Sequence, residues 1–296
     1  MPDRVRPHEY LAACGAHFAV WLFRRLPLER ASALGGWLAR RLGPLFSVHR
    51  LAARNLARAM PELDAPTRAR ILDGMWDNLG RVLAEYPHLG HMQQGPADAP
   101  GRIEVVGIEH LAGIHENGRP AIFFSAHYGN WELPGLAASW HGLALVQVYR
   151  AANNPLTENL LQRLREPVGG RHFPKGAEAA RELIRALKRN ESLGLMVDQK
   201  LNNGVAVPFF GRDAMTAPAI AEFALRFGCP VFPARAERLG GTRFRVTVEP
   251  PLTFTSTGDR EADVYAALLQ INRKLEDWIR DRPDHWFWVH RRWPKD

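Results

Sequence analysis

The sequence predicts an α/β fold: a mixed, largely parallel central sheet flanked by helices, preceded by a basic helical N-terminal region. From residue 101 onward, short β-rich runs alternate with helical patterns, which is typical of a sheet covered by helices. Residues 1–95 instead carry apolar positions three and four residues apart, as amphipathic helices do. We therefore divide the chain into a helical region, 1–100, and an α/β core, 101–296.

The elements of the core follow one another in strand–helix order. Short runs of aliphatic and aromatic residues predict buried or half-buried strands at 103–107, 120–126, 143–150, 192–199, 229–237 and 243–252. Helical spacing predicts helices at 131–140, 155–166, 176–190, 217–227 and 259–282. Because most strands are separated by a helix, we expect most neighbouring strands to run parallel.

The N-terminal region is basic and amphipathic, with ten arginines against three acids in its first 58 residues. Its apolar run 11–23 has 13 residues, whereas a spanning helix needs about 20. We expect this region to associate with an anionic membrane surface, with 11–23 lying in or dipping into the interface. Whether 11–23 spans the bilayer stays open, and a buried soluble helix is the alternative. We identify no secretory signal in this sequence.

Charge and motif content narrow the function classes. The formal net charge of +8 indicates an anionic partner, such as nucleic acid, an anionic membrane or an acidic protein. No recognised nucleic-acid-binding module is present, so we expect no nucleic-acid partner. The sequence also lacks a Cys-x-x-Cys pair, a phosphate-binding loop and a Gly-x-Gly-x-x-Gly run. It therefore predicts neither a zinc ribbon nor a nucleotide cofactor.

The segment AIFFSAHYGNWELPG carries the candidate chemistry. His127 follows a predicted strand, and Glu132 begins a helix after a short turn, so the two side chains can meet. A histidine held by a carboxylate is a general base for acyl transfer to an alcohol; the alternative is a hydrogen-bonded structural histidine. Ser125 lies two residues before His127, but it lacks the Gly-x-Ser-x-Gly elbow of serine hydrolases, so the sequence argues against that class of enzyme. Because no third ligand stands at metal spacing, we predict no metal site.

Five blocks of sequence, in order along the chain, resemble the bacterial lipid A biosynthesis acyltransferases, the lauroyl/myristoyl transferase family. That family lies within the His-x4-Asp/Glu glycerolipid acyltransferase superfamily. The blocks are FFSAHYGNWEL, VYRAANNP, LGLMVDQKLNNGVAVPFFGR, TAPAIAEFALRFGCPVFPARAER and HWFWVHRRW. The resemblance implies a glycerol-phosphate acyltransferase-like core, acting at the cytoplasmic face of the inner membrane without a cofactor. It implies an acyl carrier protein as donor and a Kdo-bearing lipid A precursor as acceptor.

The resemblance also implies roles for residues at matching positions. His127 would deprotonate the acceptor hydroxyl, and Glu132 would orient His127 and stabilise its imidazolium. Arg150 would hold a phosphate or the developing oxyanion, unless it is an ordinary surface arginine. Asp198 and Gln199 would position the acceptor sugars or Arg150, unless they only cap a strand.

The remaining predictions concern the turn and the C-terminus. The resemblance implies that Asn130 and Trp131 shape the turn and the entrance for the acyl chain; core packing is the alternative for Trp131. The terminal HWFWVHRRWP is either an interfacial belt or a packed segment whose arginines point outward, and we expect His285 and His290 to be structural.

Two other functions stay open. The same dyad can act on another lipid acceptor, a lysophospholipid or a glycolipid. A non-catalytic membrane-surface protein of the same fold is the alternative of a different class, although the intact His127 and Glu132 pair argues against it.

Overall fold

The computed structural model of the chain describes residues 6–96, 98–99, 101–111, 114, 118–152 and 154–294. Its centre is an eight-stranded sheet, accompanied by a two-stranded hairpin. In chain order the strands are β1 Gln93–Gln94, β2 Arg102–Val106, β3 Ile122–Ser125, β4 Val146–Tyr149, β5 Arg171–Pro174, β6 Leu193–Met196, β7 Val205–Phe209, β8 Arg212–Thr216, β9 Val231–Gly240 and β10 Arg243–Val248. Strands β7 and β8 form the hairpin.

The sheet is mixed but largely parallel, in the order β1-β2-β10-β9-β3-β6-β4-β5. Only the β9–β10 pair is antiparallel among its described pairings. Strands β3, β6, β4 and β5 are parallel, so their carboxyl ends lie at one edge. In open sheets of this kind, ligands bind at that edge.

Nine α-helices are described. They are α1 Pro7–Arg25, α2 Leu28–Leu42, α3 Ser47–Ala59, α4 Ala65–Glu85, α5 Leu133–Trp140, α6 Pro155–Arg165, α7 Ala177–Lys188, α8 Ala219–Phe227 and α9 Arg260–Asp281. Short 3-10 helices lie at Gly43–Leu45, Tyr86–His91, Ile108–Leu111, Glu166–Val168 and Pro283–His285. Local sequence explains several ends: Asp64 caps α4 by accepting from the Thr67 N–H, and Gly228 ends α8 in the left-handed conformation.

The two faces of the sheet are covered by different helices. Side chains alternate along β3, so Ile122 and Phe124 enter the larger core while Phe123 enters a separate apolar cluster on the opposite face. The larger core includes buried residues of α3, α4, α7, α8 and α9. Helix α5 covers the face on which Phe123 lies, and it contributes Leu133 and Leu136 to a third cluster.

These elements confirm the predicted α/β fold with its mostly parallel sheet and flanking helices. Each predicted strand and helix of the core overlaps an observed one, with bounds that differ by a few residues. The prediction missed β5 and the β7–β8 hairpin, because RHFP and VAVPFFGRDAMT contain prolines and no long apolar run. The division of the chain at residue 100 stays a prediction.

The N-terminal helices present large apolar side chains to solvent. Those on α1, α2, α3 and the 3-10 helix between them are Tyr10, Leu11, Phe18, Trp21, Leu22, Trp37, Leu42, Leu45, Phe46 and Val48, Phe46 itself lying just before α3. Among the described residues, no helix is both long and apolar enough to cross a bilayer.

The C-terminal aromatic segment is packed inside the protein. Trp286, Trp288 and Arg292 are fully buried, and Trp293 is 5% exposed. Asn55 of α3 donates its side-chain N–H to the carbonyls of Trp288 and His290, at 2.8 Å each. Of the two alternatives for this segment, the structure therefore shows the packed one. Of its two arginines, Arg291 is exposed as expected, whereas Arg292 lies inside, where it donates to Thr216 and Asn272.

Candidate active site

His127 lies just beyond the carboxyl end of β3, in a turn that the C-terminal segment holds in place. The Phe287 N–H donates to the His127 carbonyl at 3.1 Å, and the Gly129 N–H donates to the His285 carbonyl at 3.0 Å. Gly129 has a φ of +56°, and a Cβ added there would lie 1.8 Å from the Ala236 carbonyl oxygen. Only glycine therefore fits this point of the turn.

Asp198 is the carboxylate that holds His127. It follows β6, the strand next to β3, and its side chain is fully buried. Its Oδ1 accepts from His127 Nδ1 at 2.9 Å, and its Oδ2 accepts from the His127 backbone N–H at 2.9 Å and from Trp286 Nε1 at 3.0 Å. Burial works to raise the pKa of Asp198, but the charge and hydrogen bonds of His127 outweigh it and lower this pKa.

This geometry defines the protonation pattern of the imidazole. An ionised carboxylate can only accept, so His127 Nδ1 carries the proton and Nε2 keeps its lone pair. The Gln199 side-chain nitrogen lies 3.4 Å from Nε2, where its N–H can donate to the lone pair until a substrate hydroxyl replaces it. His127 can therefore take a proton from a hydroxyl at Nε2.

The predicted contact between His127 and Glu132 is corrected by these bonds, because Asp198 takes the place expected for Glu132. Glu132 is buried before α5, where its Oε1 accepts from Tyr86 Oη at 2.5 Å and from Arg165 Nε and Nη2 at 3.0 and 2.8 Å. The carboxylate thus belongs to an ion pair with Arg165, which comes from the end of α6. Burial and the nearby Glu132 charge raise the pKa of Tyr86, so its hydroxyl stays protonated.

Asn130 is also buried, and it ties the turn to the N-terminal helices. Its Nδ2 donates to Glu85 Oε2 at 2.9 Å. Glu85, fully buried at the end of α4, accepts two further bonds from Arg238 at 2.6 and 3.0 Å and one from Ser32 of α2 at 2.7 Å. Asn130 thus joins the turn to a buried ion pair that the sequence did not reveal.

The other predicted residues lie at different distances from His127. The Trp131 ring is 5.4 Å from the His127 ring and 6.2 Å from the Phe287 ring. Arg150 is exposed after β4, which β6 separates from β3; two strand spacings place it about 10 Å along the edge from His127. Asp198, which was predicted to position the acceptor sugars or Arg150, lies closest to the base, since it bonds directly to His127.

His290 lies against His127, whereas the sequence predicted a purely structural residue. The two rings meet edge-to-face at 4.7 Å, and His290 Nε2 is 3.9 Å from Asp198 Oδ2. Burial, followed by the nearby His127, lowers the pKa of His290 to about 4, so it is neutral at pH 7.

His127, Asp198 and His290 also bring three potential metal-ligand atoms within 4.8 Å of one another, which supplies the third ligand that spacing did not predict. Both oxygens of Asp198 already accept hydrogen bonds, and a metal at His127 Nδ1 would have to replace the N–H that binds Oδ1. The donor set thus fits a hydrogen-bonded base better than a metal centre.

An apolar cavity begins beside this base and runs between α5 and the sheet. Ser125 and Trp131 line it near His127, and His141 lines it beyond the far end of α5. The cavity volume open to the centre of a water-sized sphere is about 50 Å³. Small residues are among those that line it, namely Gly135 and Ala138 on α5 and Gly194 and Ala234 on the strands.

Comparison with known proteins fits this geometry. Residues 3–295 match the family model described as bacterial lipid A biosynthesis acyltransferase. The chain belongs to this family.

The relatives act on different lipids, by their names. A lipid A biosynthesis myristoyltransferase of Escherichia coli (strain K12) is 24% identical, over 86% of this chain and 77% of its own. A lipid A biosynthesis lauroyltransferase of the same strain is 27% identical, over 92% and 88%. A phosphatidylinositol mannoside acyltransferase of Mycolicibacterium smegmatis is also 27% identical, over 93% and 89%. As a member of the lipid A acyltransferase family, the protein is an acyltransferase.

In this acyltransferase, sequence reasoning missed several residues around the base. Arg165 stands among other charged residues of an amphipathic helix, and Tyr86 lies in the N-terminal region, so neither showed a pattern that pointed to the site. The dense HWFWVHRRW block was the available signal for Trp286 and His290. Two of its aromatic rings indeed meet His127.

Proposed function

We propose that the protein transfers a fatty acyl chain from acyl carrier protein to a hydroxyl of a Kdo-bearing lipid A precursor. One observation carries the proposal: in a lipid A acyltransferase family member, a histidine oriented by a buried carboxylate lies beside Trp131, which lines an apolar cavity. The base and the apolar site are the two things that transfer of a fatty acid to an alcohol requires.

His127 acts as the general base in this proposal. Its Nε2 removes the proton of the acceptor hydroxyl while the oxygen attacks the thioester carbonyl. The tetrahedral intermediate collapses, the C–S bond breaks, and the departing thiolate takes the proton back from His127. Asp198 keeps the productive tautomer and stabilises the imidazolium, since its ionised form lies 2.9 Å from Nδ1.

The acyl chain lies in the cavity under α5. Its walls are almost wholly apolar, with Phe123, Leu143 and Val248 among them, so burial of the chain supplies binding free energy. Trp131 covers the entrance beside the base, which supports its predicted role at the acyl entrance.

The predicted site residues take the following parts. Glu132 stays a member of the catalytic site through its pair with Arg165, which fixes the start of α5 beside the base. Asn130 holds the turn, and Gln199 contacts the acceptor near Nε2. Arg150, exposed at the same edge, binds a phosphate of the acceptor.

The protein acts at the cytoplasmic face of the inner membrane. The exposed apolar side chains of α1 to α3 and the surrounding arginines support attachment to an anionic membrane surface. The net charge of +8 also favours encounter with an acidic carrier protein and with a phosphorylated acceptor.

Another lipid acceptor is the second candidate, and a specific observation favours it. The phosphatidylinositol mannoside acyltransferase of M. smegmatis is as similar in identity, 27%, as the E. coli lauroyltransferase. The same base and cavity serve a glycolipid of that kind, because the acceptor hydroxyl needs only to reach Nε2.

The test is transfer from carrier-protein thioesters of ten to sixteen carbons to three acceptors: the Kdo-bearing precursor, a phosphatidylinositol mannoside and a lysophospholipid. We expect a mass increase of the lipid A precursor by one acyl group, with turnover lower by about 10² to 10⁴ for His127→Ala. His91→Ala, which removes an exposed histidine, is the matched control and should retain wild-type turnover.

Transfer only to one of the other acceptors would keep the base and reject the lipid A assignment. Wild-type turnover by His127→Ala would reject the mechanism.

A further inference from the structure

Gly194 occupies a position where a glycine has no conformational reason to be. It lies within β6, between β3 and β4 in the interior of the sheet. Its φ is not positive, so the backbone there does not require glycine. Glycine weakens the interior of a strand, and where it occurs it often marks the close approach of a ligand. The missing side chain therefore needs an explanation outside the backbone.

The neighbours of Gly194 show which side chains lie where its own side chain would be. In register, Gly194 pairs with Phe123 of β3 on one side and Gln147 of β4 on the other. All three line the apolar cavity. A Cβ at Gly194 would lie 3.0 Å from Gln147 Cγ and 3.2 Å from Leu145 Cδ1. Gly194 is thus a notch in the wall of the cavity, and the Gln147 and Leu145 side chains lie in it.

The notch lies deeper in the cavity than the entrance. The row of residues nearest His127 contains Ser125 and Met196, which pair with each other. Gly194 is two residues further from the catalytic edge, about 7 Å along the strand. An acyl chain whose carbonyl sits beside the base would therefore reach the notch with its middle and distal carbons.

Gln147 forms the wall beside the notch. A Cβ added to Gly135 of α5 would lie 3.3 Å from Gln147 Nε2, so this side chain reaches across the cavity from β4 to the helix. Its length defines the cavity width at the level of Gly194.

We propose that Gly194, with Gln147 as the adjoining wall, determines the length of the acyl chain that the enzyme accepts. The inference rests on the proposed function, because it assigns the cavity to the acyl chain. A larger residue at 194 displaces the Gln147 side chain into the cavity, which narrows it and leaves distal carbons outside. A smaller residue at 147 widens the same level and admits longer chains.

The experiment measures kcat/KM for each thioester of ten to sixteen carbons with wild type, Gly194→Val and Gln147→Ala. Each methylene kept out of an apolar site weakens binding about fourfold, from about 0.8 kcal/mol per methylene. We expect Gly194→Val to favour chains at least two carbons shorter, with a loss of about fifteenfold for the chain that wild type prefers. Gln147→Ala should favour longer chains than wild type.

Leu193→Val is the matched control. Leu193 lies on the same strand but is buried in the core on the other face, so its truncation removes a methylene there without touching the cavity. Its chain-length preference should equal that of wild type. Gly194→Ala, which adds a single methyl group, replaces Gly194→Val if the valine variant does not fold.

Binding of the same thioesters to the inactive His127→Ala variant, with and without the added Gly194→Val substitution, separates the two proposals. If no acceptor is acylated by wild type but Gly194→Val shortens the preferred chain in binding, the cavity assignment stands and the acceptor is wrong. If transfer occurs and neither the residue-194 variant nor Gln147→Ala changes the order of preferred chains, the inference about Gly194 is overturned and the proposed function is retained.

Discussion

The substitution Asp198→Asn tests the central feature of the site, the carboxylate that orients His127. Asp198 accepts three hydrogen bonds, from His127 Nδ1, from the His127 backbone N–H and from Trp286 Nε1. An asparagine of the same shape keeps the last two bonds by placing its oxygen at the Oδ2 position. Its NH₂ group then points at Nδ1, which has to become an acceptor.

That arrangement leaves the imidazole with the wrong tautomer. With Nδ1 accepting, the proton moves to Nε2, and His127 can no longer take a proton from the acceptor. The imidazolium that forms during the reaction also loses the negative charge 2.9 Å away. We expect kcat to fall by about 10² to 10⁴, equivalent to about 3 to 5 kcal/mol of transition-state stabilisation. The free energy of unfolding should fall by only about 1 to 3 kcal/mol.

The assay is release of carrier-protein thiol together with formation of acylated lipid, measured over substrate concentration so that kcat and KM are separated. The matched variant is Glu132→Gln, which tests the partner that the spacing His-x4-Glu suggested. Asp198→Asn should lower kcat with little change in KM, since no substrate contact is removed. If Asp198→Asn turns over within about threefold of wild type while Glu132→Gln loses the rate, the orienting role belongs to Glu132.

Three further predictions concern buried charges. Arg165→Met should lower the free energy of unfolding, measured in urea, by about 3 to 5 kcal/mol, because it leaves the Glu132 carboxylate without its cation. Adding Glu132→Gln, which removes the second charge, should restore part of that free energy. An equal loss in the single and double variants would refute the pairing. Glu85→Ala should lower the free energy of unfolding by a similar amount, because it leaves Arg238 without its carboxylate. Adding Arg238→Met should recover part of that loss. If the losses of the two single variants simply add in the double variant, the two residues are not coupled. The pKa of His290 is about 4 in the folded protein against an ordinary 6.5, so its contribution to the free energy of unfolding is complete above pH 6.5 and is lost as the pH falls to 4. Between pH 7 and 4, the free energy of unfolding of His290→Asn should therefore fall by about 3 kcal/mol less than that of wild type. Parallel curves of unfolding free energy against pH would argue against a neutral buried His290.

Much of the architecture could be predicted from local sequence. The runs around 122–125 and 193–196 are short, apolar and flanked by helical periodicity, so their class as buried strands follows from patterning. The position of His127 followed as well, because a polar residue after a buried strand lies at the edge where ligands bind. Prolines concealed β5 and the β7–β8 hairpin, since proline in a run argues against a strand.

The partner of His127 could not be predicted in the same way. Spacing favoured Glu132, five residues away, whereas Asp198 is 71 residues away in sequence and adjacent only because β3 and β6 pair. Glu132 is drawn instead to Arg165 and Tyr86, both brought in by other elements. A sequence shows which side chains can accept a proton, but strand order decides which of them meet.

By itself, the sequence determined the class of fold, the resemblance to the lipid A acyltransferases, and His127 as the candidate base. These depend on periodicity and on short motifs, which are local properties of the chain. Only the tertiary structure decided that Asp198 orients the base, that His290 and Trp286 stand beside it, and that the C-terminal aromatic rings are buried. It also decided the position of the apolar cavity. Such features arise from contacts between residues distant in the chain, and pairing and packing of whole elements create those contacts.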